Sequence, residues 1–174
     1  MGASGWTYFV PHEPDPEQAL QQLRQQVFAA GDYRKPGELP PALHPFARGL
    51  PFPLRLLLAG LRAYQAVSSA LRWMLGDSGR PRTFDEALEL AGEDGTHSIL
   101  DITHTAPQHE FAAAVPLSEA QLQRALGTTQ PTHEQVQAAG SHLLERLDRW
   151  DAVYLPVYLD GKPVEWAFLG CSGD

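Results

Sequence analysis

Apolar residues recur along the chain in two rhythms, one of period two and one of helical period, and together they lay out the elements. Trp6, Thr7, Tyr8, Phe9 and Val10 form an aromatic and β-branched run ended by Pro11, which predicts a strand. Asp15, Pro16 and Glu17 then supply an N-cap, a proline at the first helical position and an acid in the first turn. Leu20, Leu23, Val27 and Phe28 keep a helical period from there to Gly31. Prolines 36, 40, 41, 45, 51 and 53 interrupt both helix and sheet ladder, so residues 32–53 are expected to form a long Pro-rich loop.

Leu54, Leu57, Leu58, Leu61, Tyr64, Leu71 and Leu75 resume the helical period, with Arg55 and Arg62 on the opposite face. Such a helix either lies on a membrane or packs in a core with two solvated arginines. The absence of a polybasic cluster favours the core, and Arg55 cuts the apolar run too short to span a bilayer. Three further helices are expected to start at Thr83, Ser118 and Thr132, each followed three residues on by Glu86, Gln121 or Gln135, the pattern of a capping box. Between the first two, residues 98–103 are a short strand candidate.

Residues 153–159 and 164–169 flank Asp160 and Gly161, a strong hairpin signal. With a turn of two or four residues the pairing parity is the same. Val153, Leu155, Val157, Val164, Trp166 and Phe168 are therefore expected on one face, against the helices. Tyr154, Pro156, Tyr158, Glu165 and Ala167 should occupy the freer face, exposed or lining a shallow groove. The resulting expectation is an α+β fold: a mainly antiparallel sheet of about four strands, including the C-terminal hairpin, packed against four to five helices. With 174 residues and one hydrophobic pattern, residues 1–174 read as a single domain.

Charge and cysteine content narrow the function classes. A formal net charge of −8 argues against a nucleic-acid partner, which needs concentrated Lys and Arg. The lone Cys171 excludes an internal disulfide, and the first residues lack a basic region followed by an apolar stretch. The expected setting is the cytoplasm, with no membrane partner.

The densest chemistry lies at His97, Asp101 and His104, with His109 and Glu110 close behind. In an extended strand His97 and Asp101 share a face but stand about 13 Å apart, and His104 points the other way, so one ion cannot reach all three. No helical His-Glu-x-x-His or paired Cys-x-x-Cys is present, and neither a metal nor a cofactor is expected. Cys171 with a histidine could act as a nucleophile, but one cysteine and seven histidines give such combinations by chance, and a small buried hydrophobe at a strand end is the expected role. Glu86, Glu89 and Glu93 form an acidic stripe, with Asp85 and Asp94 beside it, which is either a docking surface for a basic partner or a solvated helix face.

Four segments carry a resemblance: residues 5–11 (GWTYFVP), 95–101 (GTHSILD), 127–132 (GTTQPT) and 170–174 (GCSGD). With these the chain resembles an uncharacterised family of small bacterial proteins common in actinobacteria. The resemblance implies no activity and no catalytic residue. Two readings stay open. One is a non-catalytic binding protein, an immunity- or antitoxin-like partner of another protein. The other is a small enzyme with a His/Asp-containing site near the sheet. The binding candidates are His97, Asp101, His104, Tyr154, Tyr158 and Glu165. Asp101 stands out because a carboxylate in an aliphatic stretch must face water or acquire partners.

Overall fold

The computed structural model describes residues 4–33, 81–92 and 95–173. Backbone contacts divide the chain into two compact units, one of Met1–Arg34 with Ala91–Asp174 and one of Lys35–Leu90. All but the first two residues of the expected Pro-rich loop, the whole Leu54–Leu75 helix, and Glu93 and Asp94 of the acidic stripe lie outside the described residues.

The first unit is an α+β fold around a five-stranded sheet. Its strands are β1 (Gly5–Pro11), β2 (His104–Thr105), β3 (Ala113–Pro116), β4 (Ala152–Leu159) and β5 (Lys162–Cys171), in the order β1-β5-β4-β3-β2. The sheet is mixed, not purely antiparallel: β1, β5 and β4 pair antiparallel over their long strands, whereas β4 with β3 and β3 with β2 run parallel over short ones. Two helices cross over between β3 and β4, the connection that parallel neighbours usually require, whereas β2 and β3 are joined by residues 106–112 with no helix.

Helix α1 (Pro16–Ala30) is capped by the Asp15 carboxylate, which accepts from the Glu17 amide at 3.0 Å, and it ends on Gly31 in the left-handed region. Its buried residues Leu20, Leu23 and Val27 are those of the helical period. Helix α2 (Phe84–Ala91) starts behind Thr83, whose hydroxyl accepts from the Glu86 amide at 3.1 Å. The Glu86 carboxylate reaches one residue further back, to the Arg82 amide at 2.6 Å. Helices α3 (Glu119–Leu126) and α4 (His133–Leu144) carry complete capping boxes, Ser118 with Gln121 and Thr132 with Gln135. Four helices are therefore present among the described residues, and none is long and apolar enough to cross a membrane.

Both sheet faces are covered within this unit. Helices α3 and α4 close one face over Leu155, Val157, Ala167 and Leu169, with Leu122, Val136 and Leu143 from the helices. On the other face α1 meets β1, β2 and the 3-10 helix Ile99–Asp101. The run Ala167, Phe168, Leu169, Gly170, Cys171 is accordingly buried without a break. Trp6 lies across Gly170, its cross-strand partner: a Cβ there would come within 2.2 Å of the indole ring.

The two sequence expectations overturned here concern local geometry. Residues 98–103 are not a strand. Ser98 accepts from the Leu100 amide, a local cap that starts the 3-10 helix instead, and extended structure begins only at His104. The hairpin is present with its two-residue turn, and both Asp160 and Gly161 have positive φ, as a twist-matched tight turn demands. Between the pairs Tyr158↔Pro163 and Val157↔Glu165, however, Val164 is an extra residue, a β-bulge. Its carbonyl accepts instead from the His12 amide at 2.9 Å. One inserted residue reverses the facing of everything beyond it. Glu165, Ala167 and Leu169 thereby join Leu155 and Val157 toward α4, and Trp166 and Phe168 join Tyr154 and Pro156 on the α1 face.

Candidate functional site

The loop from Gly95 to Asp101 builds a closed polar knot. Asp101 Oδ1 accepts from the Thr96 amide at 2.6 Å and from the Thr96 hydroxyl at 2.7 Å. Because that hydroxyl proton is committed, the 2.9 Å contact between Thr96 and Ser98 requires Ser98 to donate. Asp101 is 1% exposed, and Gly95, at φ +76, lies so close that a Cβ there would sit 2.8 Å from Oδ2. Oδ2 and the neighbouring Ser172 hydroxyl are both buried without a partner at hydrogen-bond distance. Burial pushes the Asp101 carboxyl above its usual range, against the opposing pull of Thr96, the nearby Ser172 and the charge of His97. Burial likewise drives the Tyr8 phenol up to about 12, helped by the charges of Asp32 and Asp101 and opposed by a bond to the Ile99 backbone.

His97, half-buried and in the left-handed region at φ 55, meets Ser4 Oγ through Nδ1 at 2.6 Å. His104 stands apart on β2, 3.5 Å from Glu110 and 2.9 Å from the Thr103 hydroxyl. Beside it the first turn of α1 closes the sheet edge: Glu17 Oε2 accepts from the Thr105 amide at 2.6 Å and its hydroxyl at 2.9 Å. Burial raises the Glu17 carboxyl, but bonds from Gln21 and Thr105 and the charge of His104 outweigh it, leaving its pKa below the ordinary value. Tyr154 lies on the α1 face, edge-on to Trp166 with centroids 5.5 Å apart, and burial raises its phenol, helped by the charges of Asp15 and Glu17.

Tyr158 and Glu165 are the two sequence candidates that share a cavity. It has a volume of about 600 Å³ and is lined by Pro11, Thr132, His133, Glu134, Val157, Tyr158, Leu159, Val164 and Glu165. Leu159 and Val164, 62% and 39% exposed, form its apolar rim. The Tyr158 amide donates to the Pro131 carbonyl at 2.8 Å, which pins the start of α4 over the sheet. His133, first residue of α4, stacks on Phe9 with centroids 3.9 Å apart and meets Glu165 Oε2 through Nδ1 at 2.8 Å. A smaller hollow of about 380 Å³, lined by Thr7, Phe9, Gln137, Gly140, Ser141 and Leu144, continues past His133 along α4. The bulge at Val164 is what turns Glu165 to this side.

Sequence reasoning missed His133. Its only signal was its place directly behind a capping-box threonine, opposite a hairpin whose register was still open. Cys171 is buried, with its thiol directed at the Leu144 carbonyl at 3.6 Å, the environment of a small core residue. Among the described residues no three His, Cys, Asp or Glu side chains gather as a metal site would require. Comparison with protein families, with curated proteins and with solved structures finds no match for this chain.

Proposed function

We propose that this chain is a non-catalytic binding protein, of the immunity or antitoxin kind, that holds a protein partner in the groove between α4 and the β4–β5 hairpin. The observation that carries this reading is the cavity itself. Its volume of about 600 Å³, its apolar rim and its few convergent polar groups are the features that distinguish binding sites from ordinary surface. A small enzyme working at His97 and Asp101 would need substrate to reach a carboxylate that is 1% exposed and covered by Gly95. That pair is better accounted for as a structural knot.

The test is a photo-crosslinking residue placed at Leu159 in the native cells, with a second at Glu145, whose side chain is 75% exposed, as the control. The reading expects one discrete protein adduct at position 159, none at 145, and its loss when Val164→Asp is added. Identical adducts at both positions, or none at 159, would remove the basis for the groove as a docking site.

A further inference from the structure

We infer that the groove is built to receive an arginine side chain of a basic protein partner, with the guanidinium on Glu165 and the aliphatic stem across the Leu159–Val164 rim. The inference rests on the docking reading above and adds the chemistry of the occupant. The lining carries the carboxylates of Glu134 and Glu165 with His133 and Tyr158, and among the described residues no Lys or Arg lines it. Glu165 Oε2 faces His133, while its other oxygen has no hydrogen-bond partner among the described residues. Its side chain is 32% exposed, so it is held in place yet reachable.

The occupant's shape follows from the walls. A guanidinium presents a planar fork that a carboxylate accepts in two parallel bonds. The three methylenes behind it cover apolar surface of the kind that Leu159 and Val164 offer. A lysine ammonium, compact and strongly hydrated, does not offer the fork. The net charge of −8 draws a basic partner toward the chain before contact.

The experiment uses the full 15N-labelled chain titrated with three blocked tripeptides, leucyl-arginyl-leucine, leucyl-lysyl-leucine and leucyl-glutamyl-leucine amides. The readout is amide shifts at Val157, Leu159, Val164 and Glu165. The arginyl peptide is expected to shift these amides, to bind about tenfold more tightly than the glutamyl peptide, and to lose about tenfold in affinity in Glu165→Gln, a difference of about 1.4 kcal/mol. Glu165→Gln is isosteric, and an unchanged melting temperature checks that it folds. Equal binding of the arginyl and glutamyl peptides overturns the inference. So does arginyl binding unchanged by Glu165→Gln, lysyl binding as tight as arginyl, or shifts confined to other residues. A discrete adduct at position 159 together with any of these leaves the docking reading standing and removes only the arginine.

Discussion

Histidines stand near carboxylates at several places among the described residues, and two of these places are opposites. At His97 and Asp101 the carboxylate is enclosed, its Oδ1 saturated by the Thr96 amide and hydroxyl and its Oδ2 covered by Gly95. At His133 and Glu165 the pair stands on the wall of an open cavity, 45% and 32% exposed. The residue types are nearly the same, so side-chain chemistry does not separate them. Access does: a group sealed among fixed donors stabilises a loop, and a group with an unclaimed oxygen beside apolar surface can meet another molecule.

Substitutions at the two places should therefore sort into stability and binding. The largest effect is expected from Asp101→Ala, which strands the buried Thr96 amide and hydroxyl. We expect a loss of about 2–4 kcal/mol in denaturant unfolding. The Leu159 crosslink should nevertheless persist at temperatures where the variant is folded. A variant that keeps full stability but loses the adduct would invert the comparison.

A smaller effect, with a sign set by pH, belongs to Asp101→Asn. Asparagine keeps the Oδ1 acceptor and mimics the neutral acid. Because burial raises the carboxyl above its ordinary 3.8, the folded state favours the protonated form. The wild type thus has this contribution in full below 3.8 and loses it as pH climbs through the raised value. The melting temperature of Asp101→Asn minus that of the wild type should grow as pH rises from about 3.5 through the raised value and level off above it. A difference that is flat, or that shrinks with rising pH, contradicts the buried-acid account.

The smallest change in stability is expected at the groove. Leu159→Ser removes an apolar side chain that is already 62% exposed, so unfolding should shift by no more than about 0.5 kcal/mol. With the crosslinker moved to Val164, the same substitution should still deplete the partner adduct. A large loss of stability would mean that Leu159 packs in the core and not on a rim.

Much of the fold was legible because it is encoded within a few residues. The Asp15 cap, the Ser118 and Thr132 capping boxes, the period of Leu20, Leu23 and Val27, and the Asp160–Gly161 turn all appear where the pattern put them. What failed had competition from further away. Residues 98–103 are apolar enough for a strand, yet the Ser98 cap and the Asp101–Thr96 bonds hold a turn. The uninterrupted run from Ala167 to Cys171 did carry a warning, since a strand with one free face alternates and this one does not.

The sequence by itself determined the local elements, the α+β class and the presence of an acid at Asp101 that had to be satisfied, because caps, turns and periodicity act over three or four residues. The tertiary structure alone decided the mixed strand order and the bulge at Val164, and with that bulge which face Glu165 takes. A single extra residue, its carbonyl claimed by the distant His12 amide, reverses a whole strand, and no pattern inside the hairpin encodes that bond. The pairing of Glu165 with His133, and hence the groove, follows from it.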